Sequence, residues 1–89
     1  MTNLGTFTIK ATEHVNVETA TGLTFTQGNK YRLQSYDGAF WLREGTTGKG
    51  DYVQPLQFGY YTDAGNNLYV LPSSGTCTLN IADYTEESS

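Results

Sequence analysis

Hydrophobic and polar residues alternate along most of this chain with the two-residue period of a half-buried β-strand. Segments rich in Gly, Asn, Asp, Ser and Pro separate the alternating runs, and no stretch shows the apolar spacing of a helix. The pattern predicts an all-β chain, a small antiparallel β-sandwich or barrel of about eight short strands. The clearest runs are TFTIK, HVNVE, LTFT, NLYVL and TCTLNIA, at residues 6–10, 14–18, 23–26, 67–71 and 76–82.

The stretch KYRLQSYDGAFWLRE, residues 30–44, predicts a β-hairpin around Asp37 and Gly38. Asp-Gly suits the two central positions of a type I′ turn, which both need positive φ. The register of such a hairpin places Arg32 directly opposite Arg43 on the outer face. Alternation divides the flanking residues into a core face, with Tyr31, Leu33, Phe40 and Leu42, and an outer face, with Arg32, Gln34, Tyr36, Trp41 and Arg43.

Two further hairpins are predicted, one joining residues 6–10 to 14–18 and one joining 67–71 to 76–82 through the turn PSSG. The glycine-rich segment EGTTGKGD has no large apolar residue, so we expect an exposed loop. In YVQPLQFGYY, Pro55 marks an edge or a break in a strand. The inward residues expected from the last hairpin and from this segment are Leu68, Val70, Cys77, Leu79, Ile81, Leu56, Phe58 and Tyr60.

Length and composition limit the classes of protein. The chain has 89 residues, which predicts one domain, residues 1–83, followed by an acidic tail, residues 84–89. A net charge of −4 argues against nucleic acid as the main partner, because phosphate binding needs a basic surface. No apolar run is long enough for a membrane span, and the N-terminus lacks the basic and apolar regions of a signal peptide.

Residues that could carry catalysis or hold a metal are few and scattered. The single histidine, His14, lies in a strand-like run and has no HxH or HxxxH partner. The single cysteine, Cys77, falls at a core position, where cysteine usually acts as a small hydrophobic residue. The nine carboxylates lie mostly in turns and in the tail, without the spaced acidic run of a calcium loop. We therefore expect no enzyme activity, no metal and no cofactor.

Aromatic side chains on the outer faces are the more informative signal. Tyr and Trp combine apolar area with a polar group, which suits protein contacts or stacking on sugars. For Trp41 three possibilities stay open: cover by the rest of the monomer, a protein interface, or a glycan platform. The aromatic residues expected in the core are Phe7, Phe25, Tyr31, Phe40 and Phe58. The candidate interface consists of Arg32, Tyr36, Trp41, Arg43, Tyr61 and Tyr69.

The segment NNLYVLPSSGTCTLNIADY, residues 66–84, resembles the C-terminal ends of small virion proteins of tailed bacteriophages. In those proteins a final hairpin of the form LYV…SGTATLNI often follows a segment of the form Y.LQ…G…WLREG. The resemblance covers residues 30–83 and implies a small β-sandwich assembled on the particle, with no catalytic residues. The matching residues here are Tyr31, Leu33, Gln34, Gly38, Trp41, Leu42, Leu68, Tyr69, Val70, Ser74, Gly75, Thr76, Leu79 and Ile81.

The resemblance and the aromatic residues together predict a non-enzymatic virion protein, made in the host cytoplasm, that decorates or stabilises the capsid surface. Its partners would be the major capsid protein or other virion proteins, and further copies of itself, with a trimer favoured. The repulsion expected between Arg32 and Arg43 would be relieved by an acidic partner or by residues 83–87 of a neighbouring copy. The alternatives are a tail or neck connector, and a carbohydrate-binding or host-adhesin module in which sugars stack on Trp41, Tyr36 and Tyr61.

Overall fold

A computed structural model describes residues 1–85 of the chain. Strands dominate it, and one short helix, α1 (Val17–Thr21), follows the second strand. The eight strands are β1 (Thr2–Lys10), β2 (Val15–Asn16), β3 (Lys30–Asp37), β4 (Phe40–Glu44), β5 (Asp51–Val53), β6 (Phe58–Thr62), β7 (Leu68–Pro72) and β8 (Thr76–Asp83). The predicted all-β class and the predicted number of strands are confirmed.

The strands form two antiparallel sheets of four strands each. Sheet I has the order β1-β8-β3-β6, and sheet II has the order β2-β7-β4-β5. The pairing is nested, because β4 pairs with β5, β3 with β6, β2 with β7 and β1 with β8. The chain therefore folds back on itself at the β4–β5 loop, and the resulting double ribbon is rolled into two facing sheets. This strand order is that of a jelly roll.

The core lies between the two sheets and collects the inward residues of each alternating run. The faces predicted for β3, β4, β7 and β8 are correct, because their apolar alternate residues are buried. Phe7 is only partly buried against this cluster. The buried residues that form the core cluster are Ile9, Val17, Phe25, Tyr31, Leu33, Phe40, Leu42, Val53, Tyr61, Leu68, Val70, Cys77, Leu79 and Ile81.

The predicted hairpin around Asp37 and Gly38 is wrong, because β3 and β4 belong to different sheets. Gly38 has a φ of 84°, but within residues 1–85 Leu56 is the one non-glycine residue with positive φ, so Asp37 does not complete a type I′ turn. The chain instead crosses here from sheet I to sheet II, and the buried Ser35 hydroxyl shares its single proton between the carbonyl oxygens of Asp37 and Gly38. The crossing lets the apolar faces of β3 and β4 pack against each other across the core.

The two other predicted hairpins are replaced by similar crossings. β7 pairs with β2 and β4, whereas β8 pairs with β1 and β3. Alternation shows which side chains of a strand share a face, but it does not choose the neighbouring strand. Within the described chain, β4 and β5 are the consecutive strands that do pair, and the loop predicted from EGTTGKGD joins them.

Residues 14–18, predicted as one strand, end in a helix. The strand β2 covers two residues, and α1 begins directly after Asn16, whose side chain accepts a hydrogen bond from Thr19 N at 3.2 Å. Gly22 ends the helix in the left-handed conformation. The run at residues 23–26, also predicted as a strand, has no regular secondary structure. Local capping groups therefore override the alternating pattern in this part of the chain.

Arg32 and Arg43 do not face each other. Arg32 lies on the outer face of sheet I, opposite Tyr60 of β6. Arg43 lies on the outer face of sheet II, opposite Tyr69 of β7. The prediction that the two arginines repel each other across a hairpin is therefore wrong. Most of the predicted acidic tail, residues 86–89, lies outside the described residues.

Candidate interaction surfaces

The outer face of sheet I has a polar half, formed by β1 and β8, and an aromatic half, formed by β3 and β6. In the polar half, the Asn80 side chain donates to Asn3 Oδ1 at 2.8 Å and to Gly5 O at 3.2 Å. The hydroxyl oxygens of Thr8 and Thr78 lie 3.5 Å apart. The polar half thus pairs several of its side chains internally, whereas the aromatic half leaves apolar area in water.

The aromatic half and the adjoining Tyr84, which follows β8, form what we call the Tyr60 surface. Its residues are Arg32, Phe58, Tyr60 and Tyr84. The guanidinium carbon of Arg32 lies 4.3 Å from the centroid of the Phe58 ring. The Tyr60 ring centroid lies 6.2 Å from that of Phe58, and the Tyr84 ring meets Tyr60 edge-on at 5.5 Å. Phe58 nevertheless stays 43% exposed and Tyr60 58% exposed. The rings therefore contact one another and Arg32 while much of their apolar area stays in water.

The turn that leads into β6 exposes one more apolar side chain. Residues 54–57 form this turn, with Gln57 N donating to Gln54 O at 3.1 Å. Pro55 suits its second position, and Leu56 occupies the third with a φ of 68°. The left-handed conformation costs an L-residue roughly 1–2 kcal/mol, so glycine is the usual choice there. Because Leu56 is 65% exposed, packing does not explain its presence, and we include this turn in the candidate surface.

The alternation of β6 is opposite to the predicted one. Gly59 and Tyr61 face the core, whereas Phe58 and Tyr60 face solvent. A Cβ atom on residue 59 would lie 2.9 Å from Leu42 Cδ2 and 3.3 Å from Val53 Cγ2, so a larger residue here would require these core side chains to shift. Phe58 is therefore not a core residue, and Tyr61 is not an interface residue.

The Tyr61 side chain is 3% exposed and its hydroxyl is satisfied inside the protein. The hydroxyl shares its single proton between Asp63 Oδ1, at 3.1 Å, and Asn66 O. Burial, followed by the hydrogen bond to Asp63, raises the pKa of the Tyr61 phenol well above its usual value. This network holds the loop between β6 and β7 against the core, which is a structural role.

Sheet II carries a second surface, which we call the Trp41 groove. The Trp41 ring is half-buried, its centroid lies 4.9 Å from that of Tyr52, and the Lys49 ammonium lies 5.3 Å from the Trp41 centroid. A groove of about 460 Å³ opens beside the ring. Its other lining residues are Ala11, Thr12, Leu71, Pro72, Ser73, Ser74 and Gly75. An indole beside hydroxyl groups suits contact with a sugar ring.

Arg43 organises the β4–β5 loop rather than presenting its charge to solvent. Its Nε donates to Gly45 O at 3.2 Å, and its Nη1 donates to Gly48 O. Its guanidinium carbon lies 5.4 Å from the centroid of the Tyr69 ring. Both Arg43 and Tyr69 are half-buried as a result. The two residues are therefore engaged in contacts within the monomer.

The candidate catalytic residues are not brought together. His14 Nε2 lies 3.0 Å from Lys49 O, so a protonated Nε2 donates to that carbonyl and anchors the same loop. Cys77 is buried between the sheets, and burial raises the pKa of its thiol to about 11. Within residues 1–85 no three His, Cys, Asp or Glu side chains are placed to hold a metal ion. In that same range no helix has the length and hydropathy to span a bilayer.

The predicted interface residues lie in four different places. Arg32 belongs to the Tyr60 surface, Tyr61 lies in the core, and Tyr36 is exposed at the bulge that ends β3. The side chains predicted to stack together on sugars therefore do not share one surface. The residues that share the outer face of sheet II are Trp41, Arg43 and Tyr69.

Sequence reasoning missed the exposure of several large apolar residues. The signal that could have revealed it is Gly59, because a glycine inside a strand often marks a close approach of another chain segment. Taking Gly59 as the inward residue would have turned its two neighbours outward. The apolar residues whose exposure was missed are Tyr52, Leu56, Phe58 and Tyr60.

Comparison with known proteins supplies no relative from which a function could be transferred. No family model, no curated protein and no solved structure matches this chain.

Proposed function

We propose that this chain is a non-enzymatic structural protein of a bacteriophage virion, which decorates or stabilises the capsid after synthesis in the host cytoplasm. The observation that carries the proposal is the Tyr60 surface, where Phe58 and Tyr60 stay exposed and Arg32 lies over the Phe58 ring. Aromatic residues and arginine are enriched in the buried centres of protein interfaces. The partner would be the major capsid protein or another virion protein, which covers these rings.

Arg32 also indicates the chemistry of the partner. Its guanidinium carbon lies over the Phe58 ring. An arginine stacked on an aromatic ring keeps the N–H edge of its planar fork for a second interaction. A carboxylate on the partner can accept two hydrogen bonds from that edge. The chain itself carries a net charge of −4 and would repel a partner that is acidic over its whole surface. The partner's carboxylate should therefore be a local group that lies opposite Arg32.

The architecture and the sequence resemblance point to the same class. Jelly rolls occur in viral capsid domains and in lectins, but one fold serves many functions, so this support is an analogy. The resemblance of residues 30–83 to small virion proteins favours, of these two groups, the proteins of the virus particle. A shell displays its subunits in many copies, and self-association of the chain would add avidity to a modest single contact.

Co-sedimentation with particles tests the proposal. Purified protein is mixed with capsids stripped of accessory proteins, and we expect it to pellet with them at a saturable stoichiometry. The double variant Phe58→Ser with Tyr60→Ser should lose at least about tenfold in affinity, as expected when two interface anchors are truncated. Tyr52→Ser, which removes a similarly exposed ring from the other sheet, is the matched control and should bind normally.

Absence of co-sedimentation, together with absence of the chain from intact particles by mass spectrometry, would contradict the proposal. A tail or neck connector belongs to the same class of virion protein and uses the same kind of contact. The position of the protein density on an intact particle distinguishes a connector from a head decoration.

A second candidate function is carbohydrate binding, which the Trp41 groove favours. The indole of Trp41, the Lys49 ammonium and the hydroxyls of Ser73 and Ser74 line one groove, and this set suits a sugar that carries a carboxylate. A glycan array with the wild type and Trp41→Ala tests it. Binding that is lost in Trp41→Ala would support a carbohydrate-binding or adhesin module, and a silent array would count against it.

A further inference from the structure

The four edge strands of the two sheets differ in how well they are protected against pairing. In sheet II, β2 has two residues and β5 has three. In sheet I, β1 has nine residues, but a register shift between Asn3 and Gly5 interrupts it and it ends at Lys10. Short strands, bulges and lysines are the devices that prevent edge-to-edge pairing. The strand β6 has five residues in unbroken register and carries no charge and no proline.

The backbone groups of β6 that point away from β3 belong to Phe58, Tyr60 and Thr62. Asp63 N donates to Asn29 O at 3.0 Å, so residue 63 bonds toward the β3 side. Along an antiparallel ladder every second residue bonds to the same neighbouring strand. The odd-numbered residues of β6, like Asp63, therefore direct their backbone groups toward β3. The N–H and C=O groups of the even-numbered residues therefore face the open edge, where a strand of another chain could pair with them.

We infer that β6 pairs antiparallel with β6 of a second copy of this chain, with the two Tyr60 residues facing each other across a two-fold axis. In this register Phe58 of one copy faces Thr62 of the other, and each facing pair exchanges two backbone hydrogen bonds. The contact uses the same patch on both copies, so it closes at a dimer and not at the trimer expected from the sequence. The inference concerns the strand edge and does not depend on whether the chain binds a capsid.

A second copy is the occupant that this edge fits, because the edge is neutral and complementary to itself. The row across the joined sheets reads Arg32, Tyr60, Tyr60, Arg32. Three strand spacings of about 4.8 Å separate the two arginine backbones by about 14 Å. This separation exceeds the Debye length of about 8 Å at physiological salt, so the like charges are largely screened. The two tyrosines gain a cross-strand contact on the outer face.

The dimer has a consequence for the Tyr60 surface. A two-fold axis perpendicular to the sheet keeps the outer faces of both copies on the same side. The eight strands of the two sheets I then form one continuous sheet with two Tyr60 surfaces side by side. A partner would meet twice the aromatic area that one monomer presents.

Disulfide trapping tests both the dimer and its register. In an antiparallel pair that exchanges hydrogen bonds, facing Cα atoms lie about 5.5 Å apart, within reach of a disulfide. Tyr60→Cys should therefore form a covalent dimer under copper–phenanthroline and air. Thr62→Cys is the matched control on the same strand, because its two sulfur-bearing residues would lie about 14 Å apart and should cross-link at least about tenfold more slowly. The buried Cys77 should stay reduced in both variants.

Three outcomes would overturn the inference: no cross-link in a folded Tyr60→Cys variant, equal cross-linking in both variants, or a trimer of the wild type in sedimentation velocity. Hydrogen exchange on the wild type provides a measurement that needs no variant. The amides of Phe58, Tyr60 and Thr62 should become protected as the protein concentration rises, while the amide of Thr8, on the opposite edge, should not. Exchange at all four amides that is independent of concentration would also overturn the inference.

Discussion

Arg32 and Phe58 lie on neighbouring strands of sheet I, with the guanidinium carbon 4.3 Å from the centroid of the phenyl ring. A cation–π contact at an exposed site contributes about 0.5–1 kcal/mol. We predict a coupling free energy of that size in a double-mutant cycle of Arg32→Gln and Phe58→Leu, measured by urea unfolding. A parallel cycle of Arg32→Gln with Tyr52→Leu, on the other sheet, should be additive. Equal coupling in the two cycles would contradict a specific contact.

Replacement of Leu56 should separate stability from binding. Both Leu56→Gly and Leu56→Ala remove the exposed side chain, but only glycine relieves the left-handed conformation at a φ of 68°. Leu56→Gly should therefore be more stable than Leu56→Ala by about 1 kcal/mol in denaturant unfolding. If the turn belongs to the interaction surface, both variants should bind stripped capsids more weakly than the wild type. Equal stability of the two variants would argue that residue 56 is not strained.

Gly38 should be among the least replaceable residues, because it turns the chain between the sheets. Its φ is 84°, and a Cβ atom there would lie 2.7 Å from Thr76 O. Gly75 has a φ of 88°, but a Cβ atom on residue 75 would meet no atom within 4 Å. Its replacement by alanine therefore measures the cost of the backbone conformation alone. We predict that Gly38→Ala is more destabilising than Gly75→Ala by about 1–3 kcal/mol. Thermal and urea unfolding of the two variants measure the difference, and equal losses would contradict the steric argument.

Asp83 should make the stability of the fold sensitive to acid. The Thr85 hydroxyl and amide donate to Asp83 Oδ1 and the Asn29 side chain donates to Oδ2, and these bonds lower the pKa of the carboxyl. The pKa of Asp83 in the folded state lies below its value of about 4 in the unfolded state. The ionised carboxylate therefore stabilises the fold fully above about pH 4. That contribution is lost as the pH falls from there through the folded-state pKa.

Urea unfolding between pH 7 and pH 2 checks this dependence on Asp83. Asp83→Asn should lower stability at pH 7 and should flatten the loss of stability below about pH 4. Asp51→Asn, at an exposed carboxylate, should leave the acid limb of the wild type in place. An unchanged acid limb in Asp83→Asn would show that other carboxylates control the acid response.

The faces of most strands could be predicted from the sequence, but the neighbours of those strands could not. The alternation of Leu68 with Tyr69 and of Leu79 with Asn80 identified buried and outer residues correctly, because side-chain direction in a strand has a period of two. The prediction that β7 pairs with β8 was wrong. Two strands with apolar faces can lie side by side in one sheet or face each other across the core, and alternation is the same in both cases. Asp37-Gly38 suits a hairpin and a crossing alike, since the positive φ of Gly38 allows a sharp turn in either case.

The candidate surface depended on packing that the sequence does not display. In FGYYT the aromatic residues occupy both faces of the strand, so alternation could not tell Tyr60 from Tyr61. In the folded protein Gly59 faces Leu42 and Val53 in the core, and the same strand face buries Tyr61 while Tyr60 points to solvent. The sequence by itself therefore determined the β class, the number of strands and the composition of most of the core, because these follow from local period and turn residues. The tertiary structure alone decided which strands pair and which rings stay exposed, because both depend on contacts between residues far apart in the chain.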